Sequence, residues 1–128
     1  MRTIKQSIII KASPHDVYEA LLDSSKHSTF TGSKAKISRQ VNGKFTAYDG
    51  YASGINLDLI ENKKIIQTWR ASDWPSNHYS KITIILSKVK DGTKLSFTQE
   101  DVPDNLYKEI EQGWHDFYWK PLKEFLEK

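Results

Sequence analysis

The sequence predicts an α+β domain in which a curved antiparallel sheet of about seven strands wraps one long C-terminal helix, with two short helices after the first strand. Three observations carry that expectation. Six strand-like segments follow one another between residues 34 and 100, joined by short reversals. From Asp104 onward the apolar spacing changes from two residues to about 3.6. The 128 residues suit one domain, 1–128, whose core needs no disulfide or metal.

Taken in order, residues 3–12 place Ile4, Ile8 and Ile10 on one face of a strand. Ser13-Pro14-His15-Asp16 then starts a helix: Ser13 caps it, Pro14 suits its first position, and Asp16 completes a variant capping box. Val17, Tyr18, Leu21 and Leu22 form its apolar stripe. Lys26 to Phe30 add a short turn before the polar Thr31-Gly32-Ser33. Three hairpins follow. Lys34–Val41 and Lys44–Tyr48 flank Asn42-Gly43, a strong signal for a two-residue turn. Gly54–Ile60 and Lys63–Arg70 flank Glu61-Asn62, and Tyr79–Lys88 and Thr93–Glu100 flank Lys90-Asp91-Gly92. In the tail, Asp104–Lys128, a helical stripe collects Leu106, Ile110, Trp114, Phe117, Leu122 and Phe125, and Asp104 is placed to cap it. Pro121 cannot bond the Phe117 carbonyl and should kink or divide that helix.

Composition bounds the function. Nineteen Lys and Arg against sixteen Asp and Glu leave +3, too mild to demand an acidic partner. The basic residues are spread along the strands rather than gathered on one aromatic-bearing face, so no nucleic acid is expected. With no cysteine, disulfides and thiolate chemistry are excluded, which suits a reducing compartment. No apolar run nears the ~20 residues of a membrane span. Met1–Gln6 lacks the apolar core of a signal peptide, so the expected location is cytoplasmic and off the membrane.

Phosphate-binding glycine loops, nucleophile elbows, HExxH and EF-hand loops are all absent. His15, His27, His78 and His115 share no ligand spacing and read as surface residues, so neither a metal nor a cofactor is expected. No residue stands out as catalytic. Asp49, beside Gly50, reads as the marker of a bend. The distinctive feature is an aromatic surplus: 12% of the chain, with four Trp, where the overall hydrophobic fraction is 38%. These rings can fill a thin core or line a pocket. In the second case the lining comprises Tyr48, Tyr51, Trp69, Trp114, Phe117 and Tyr118, with Arg70 as polar anchor. The loop 72–78, with Trp74-Pro75, is then a candidate gate. Gly113 beside Trp114 marks a helix that comes close to something, whether sheet or ligand.

Several of these residues form a recognisable series: Phe45, Tyr48-Asp49-Gly50-Tyr51, Gly54, Leu59, Ile65–Arg70, Trp74-Pro75, Ser80, Gly92-Thr93-Lys94-Leu95, Val102-Pro103, Gly113-Trp114 and Tyr118. From about Ser13 to the end the chain resembles the Hsp90 ATPase activator homologue family, in its Aha1-type C-terminal domain, within the START-like, Bet v 1-like helix-grip superfamily. The resemblance implies a helix-grip fold. For function, the aromatic surplus combined with that helix-grip order leads first to a non-enzymatic domain holding a small hydrophobic ligand between the C-terminal helix and the sheet. The alternative is a protein-interaction module that regulates an Hsp90-type chaperone ATPase and belongs to the stress response. A cyclase- or hydrolase-type enzyme comes last, with Asp49 and His115 the first suspects and no spacing to support them.

Overall fold

Strand β1 (Arg2–Ile10) buries Ile4 and Ile10 and turns Lys5 and Ile9 to solvent, as its alternation requires. It opens the computed structural model, which describes residues 1–127; Lys128, the last residue of the expected C-terminal helix, lies outside the described residues. Helix α1 (Pro14–Leu22) starts where expected, with the Asp16 amide donating to Ser13 Oγ at 3.1 Å. The expected turn at 26–30 is a full helix, α2 (Ser24–Thr31). Asp23 caps it by accepting from the Lys26 amide at 2.9 Å, and Gly32 ends it in the left-handed region at φ 73°.

Six further strands complete the sheet: β2 (Lys36–Ile37), β3 (Lys44–Ala47), β4 (Ala52–Ile60), β5 (Lys64–Ala71), β6 (Ser80–Val89) and β7 (Gly92–Val102). Their order is β1-β7-β6-β5-β4-β3-β2 with every pair antiparallel, so the last strand closes against the first. Register carries the amphipathic pattern across the sheet. Phe97 faces Ile84 and Ile84 faces Ile65 on the buried side, while Lys5, Thr98 and Thr83 align on the wet side. The α+β expectation of a seven-stranded curved sheet around a C-terminal helix holds.

One strand is much shorter than the sequence implies. Of the expected segment Lys34–Val41, only Lys36–Ile37 pairs. The reason is a buried side chain two strands away. Asn56 Nδ2 donates to the carbonyls of Ser38 at 2.8 Å and Gln40 at 2.9 Å, and the Asn42 amide donates to the Asn56 carbonyl at 2.8 Å. Those bonds hold 38–43 in an irregular loop. They also replace the two-residue Asn42-Gly43 hairpin by a longer connection.

The C-terminal element begins with a 3-10 turn, Asp104–Leu106, in which Asp104 makes no capping bond; its carboxylate pairs with the N-terminal amine at 3.1 Å. Helix α3 (Tyr107–Trp114) follows, then a π-helical stretch His115–Trp119, then α4 (Lys120–Leu126). Pro121 explains the wide turn. It offers no N–H to the Phe117 carbonyl, the Lys120 amide reaches back five residues to the His115 carbonyl, and the freed Phe117 carbonyl accepts from the Tyr48 hydroxyl. An extra residue per turn also moves the apolar stripe. It runs Ile110, Trp114, Tyr118, Leu122, with Trp119 beside it, while Phe117, expected on the stripe, is 58% exposed.

Those displaced rings fill the space between helix and sheet. Trp114 lies 4.5 Å from Phe97 and 5.4 Å from Trp119, nearly parallel to the latter at 19°. Their N–H groups are satisfied internally. Trp119 donates to Gln6 Oε1 and Trp114 to Gln99 Oε1, each at 2.7 Å. The Gln99 amide donates to Ser80 Oγ at 2.9 Å, which in turn donates to the Trp69 carbonyl at 2.7 Å. Among the described residues no helix is long and apolar enough to cross a membrane.

Candidate functional site

At one end of the grip, where the turn after β3 meets α3, an open cleft of about 450 Å³ cuts between sheet and helix. All six aromatic candidates line it: Tyr48, Tyr51, Trp69, Trp114, Phe117 and Tyr118, joined by Ala52, Glu109, Ile110 and Gly113. Tyr48 is held there by backbone strain. Tyr48, Asp49 and Gly50 all take left-handed conformations, at φ 51°, 55° and 95°, and the Asp49 amide donates to the Lys34 carbonyl at 2.8 Å. That turn brings the Tyr48 ring to 5.7 Å from Tyr118 and 6.0 Å from Phe117. It also confirms Asp49 as the marker of a bend. Along the floor, Tyr51 meets Trp69 at 6.5 Å, Trp69 meets Trp114 at 5.5 Å and Trp114 meets Tyr118 at 4.7 Å.

The space deeper between helix and sheet is closed. The hollow bounded by Leu22, His27, Ile65, Gln67, Trp114 and Trp119 measures about 30 Å³, room for a water or so and for no organic ligand. The two readings of the aromatic surplus therefore both apply: Trp119 and Phe97 fill the core, and the other rings border an open cleft.

Not every candidate reaches it. Arg70 Nη2 donates to the Trp74 carbonyl at 2.7 Å and the Pro75 carbonyl at 3.3 Å, which ties down the loop after β5. Trp74 is buried against Trp69 at 5.4 Å and His78 at 5.5 Å. Neither Arg70 nor Trp74-Pro75 is among the lining residues. His115 borders a separate groove with Ile8, Trp119 and Lys123, and Asp49 lines neither. Among the described residues no three of His, Cys, Asp and Glu are placed to hold a metal ion.

His27 departs from the surface position expected of all four histidines. It is buried under the cleft, with Nδ1 3.0 Å from the Leu21 carbonyl and Nε2 3.1 Å from the Tyr118 hydroxyl. A carbonyl only accepts, so Nδ1 carries the proton and the Tyr118 hydroxyl donates to Nε2. Burial holds the His27 pKa below its ordinary 6.5, overcoming the Leu21 bond. Unfolded chain therefore binds more protons below about pH 6.5, and stability falls as pH drops from there toward the folded pKa; above it His27 contributes no slope. In denaturant unfolding followed against pH, His27→Phe is expected to flatten this limb by at most about 1.4 kcal/mol per pH unit. Equal slopes in both proteins would contradict the assignment. Burial likewise pushes the Tyr48 hydroxyl up to about 12 and raises that of Tyr118 further, so both stay neutral donors.

Glu109 escaped the reading of single residues and Ile110 entered it only as part of the helical stripe, yet the spacing carries both to the cleft: 109, 113 and 117 and then 110, 114 and 118 are i, i+4, i+8 series on adjoining strips of one helix face. Gly113 sits at the cleft with nothing pressed against it. A Cβ there would meet only Phe117 Cδ2, at 3.8 Å. Gly113→Ala is thus expected to stabilise the fold by about 1 kcal/mol through helix propensity alone, a gain that urea unfolding would register. A loss would show instead that the helix needs the glycine for a close approach.

A curved antiparallel sheet gripping one long helix, with an aromatic cleft at their border, defines a helix-grip, START-like domain. Within that class the chain belongs to the family described as Activator of Hsp90 ATPase homolog 1-like protein, which it matches over residues 11–127. It is similar to the activator of 90 kDa heat shock protein ATPase homolog of Dictyostelium discoideum, 32% identical over 114 residues, covering 88% of this chain and 30% of that protein. The human homolog 1 is 28% identical over 122 residues, 95% of this chain and 36% of that protein. The chain thus spans about a third of the length of these curated relatives. The crystal structure of an HSP90 activator from Plasmodium falciparum superposes with a TM-score of 0.93 at 22% identity, covering 99% of this chain and 97% of that one. At that identity the likeness establishes the shared fold.

Proposed function

We propose that the chain is a non-enzymatic binding domain that regulates an Hsp90-type chaperone, acting by differential affinity for one chaperone conformation. Family membership over residues 11–127 carries this reading. The packing supports it: the interior is filled, while Phe117 and Tyr51 project from the same cleft, Phe117 being 58% exposed. Exposed aromatic anchors beside a pocket are the usual centres of binding energy at protein interfaces. The chain at saturating concentration is expected to bind the chaperone and change its ATP turnover. Phe117→Ser removes an exposed ring at little cost to the fold and should weaken binding about tenfold, equivalent to about 1.4 kcal/mol. Undetectable binding together with unchanged turnover would overturn the reading.

A second reading rests on the cleft itself. Its volume of about 450 Å³ and its aromatic walls suit a small hydrophobic ligand. A panel of neutral, anionic and cationic small compounds should contain at least one that shifts the indole signals of Trp69 and Trp114. Silence across the panel would contradict it.

A further inference from the structure

The polar groups around the cleft discriminate among ligands by charge. Tyr48 and Tyr118 have already donated their hydroxyl protons, to the Phe117 carbonyl and to His27 Nε2, and the Trp114 N–H is bound to Gln99. An anionic head group would find none of these three as a donor. No Lys, Arg or His is among the lining residues, whereas Glu109 is. Asp73 and Glu109 also act on Tyr51: after burial, their charges are the next causes raising its hydroxyl pKa. The rest of the lining is apolar or aromatic, with the Tyr51 hydroxyl and the Trp69 N–H as its neutral polar groups, and a π face carries partial negative charge that attracts an organic cation lying within about 6 Å of its centroid.

We infer that the cleft binds a small organic ammonium ion with an apolar body, seated among Tyr48, Tyr51, Trp69, Trp114 and Phe117 with Glu109 as counter-charge. The inference rests on the reading of the cleft as a ligand site and narrows that ligand to one charge class. Two alternatives fit less well. An acidic lipid or carboxylic acid would place its charge beside Glu109 without a counter-ion, and a neutral apolar molecule would leave the Glu109 carboxylate unused.

The test compares choline with 3,3-dimethyl-1-butanol, its uncharged isostere of nearly the same shape, by amide chemical-shift titration. Choline should bind about tenfold or more tightly, with shifts at Tyr51, Gly113 and Trp114. Glu109→Gln, an exposed substitution that leaves the walls in place, should cut choline affinity about threefold and leave the isostere unchanged. If the isostere binds as well as choline, the cation inference fails and the cleft remains a site for neutral ligands. If neither compound, nor any member of the wider panel, shifts those amides, the ligand reading of the cleft fails with it. A peptide carrying trimethyllysine that binds better than free choline would keep the chemistry but move its source to a protein tail, overturning the small-molecule assignment.

Discussion

Trp114→Ala is expected to remove most of the stability of this fold. The ring is buried in contact with Phe97, Trp69, Tyr118 and Trp119, so truncation loses its transfer energy and leaves a cavity, together about 3–5 kcal/mol. It also strands Gln99 Oε1, a fully buried acceptor, at a further cost of about 1–3 kcal/mol. Against a total of about 5–15 kcal/mol for a domain of this kind, that sum brings the variant close to unfolding at room temperature. Trp114→Phe separates the two contributions. It retains a ring and loses the hydrogen bond, so it should cost about 2 kcal/mol. Urea denaturation of both variants checks the ordering, and a loss below about 1 kcal/mol in Trp114→Ala would show that this ring does not close the interior.

Gly54→Ala should be nearly as damaging for a different reason. A Cβ at Gly54 would fall 1.9 Å from the Thr68 carbonyl oxygen and 2.7 Å from its carbon. These are backbone atoms of the neighbouring strand and cannot swing away. The side chain of Phe45 closes the third side at 2.8 Å. Relief requires β4 and β5 to separate just where the Ile55 amide already bonds Thr68 Oγ1, at 2.9 Å, rather than a ladder carbonyl. A penalty of about 3 kcal/mol is expected from forced overpacking. Paired with Gly113→Ala it makes a test of sign: the same chemical change destabilises in the sheet and stabilises in the helix. A stability change within about 0.5 kcal/mol at Gly54 would contradict the close approach.

Most of the fold was legible because its signals are periodic. Alternation in β1 and β5–β7 and the Ser13 cap are local patterns that the structure keeps, and the helical stripe after Asp104 is kept as far as Trp114. The exceptions arise from partners that sequence spacing does not display. The segment Lys34–Val41 alternates like a strand, but Asn56, buried in β4, captures its carbonyls and bends it away from pairing. Pro121 correctly announced a disturbance in the last helix. Its form, a π turn that swings Phe117 outward and Tyr118 inward, depended on Tyr48 taking the abandoned Phe117 carbonyl from across the fold. His27 looked like a surface residue because its partners, the Leu21 carbonyl and Tyr118 hydroxyl, are brought together by α1, α2 and the C-terminal helix.

The candidate site shows the same division. Its rings were recognisable as a surplus that could fill a thin core or line a pocket, and the six candidates line the cleft. Arg70 could not be assigned from sequence, since nothing there shows that it reaches the Trp74 and Pro75 carbonyls. Nor could periodicity reveal that Trp119, stacked on Trp114, would close the deeper space and leave only the border open.

The central proposal is that the chain binds an Hsp90-type chaperone, and that it does so through this border rather than through the interior or the outer sheet. Amide chemical-shift titration of the labelled chain with the chaperone tests it most directly. The account predicts line broadening centred on Tyr51, Gly113 and Phe117, with Lys5, Thr83 and Thr98 on the opposite face of the sheet unaffected. Broadening confined to that opposite face, or no change at any ratio of the two proteins, would contradict it.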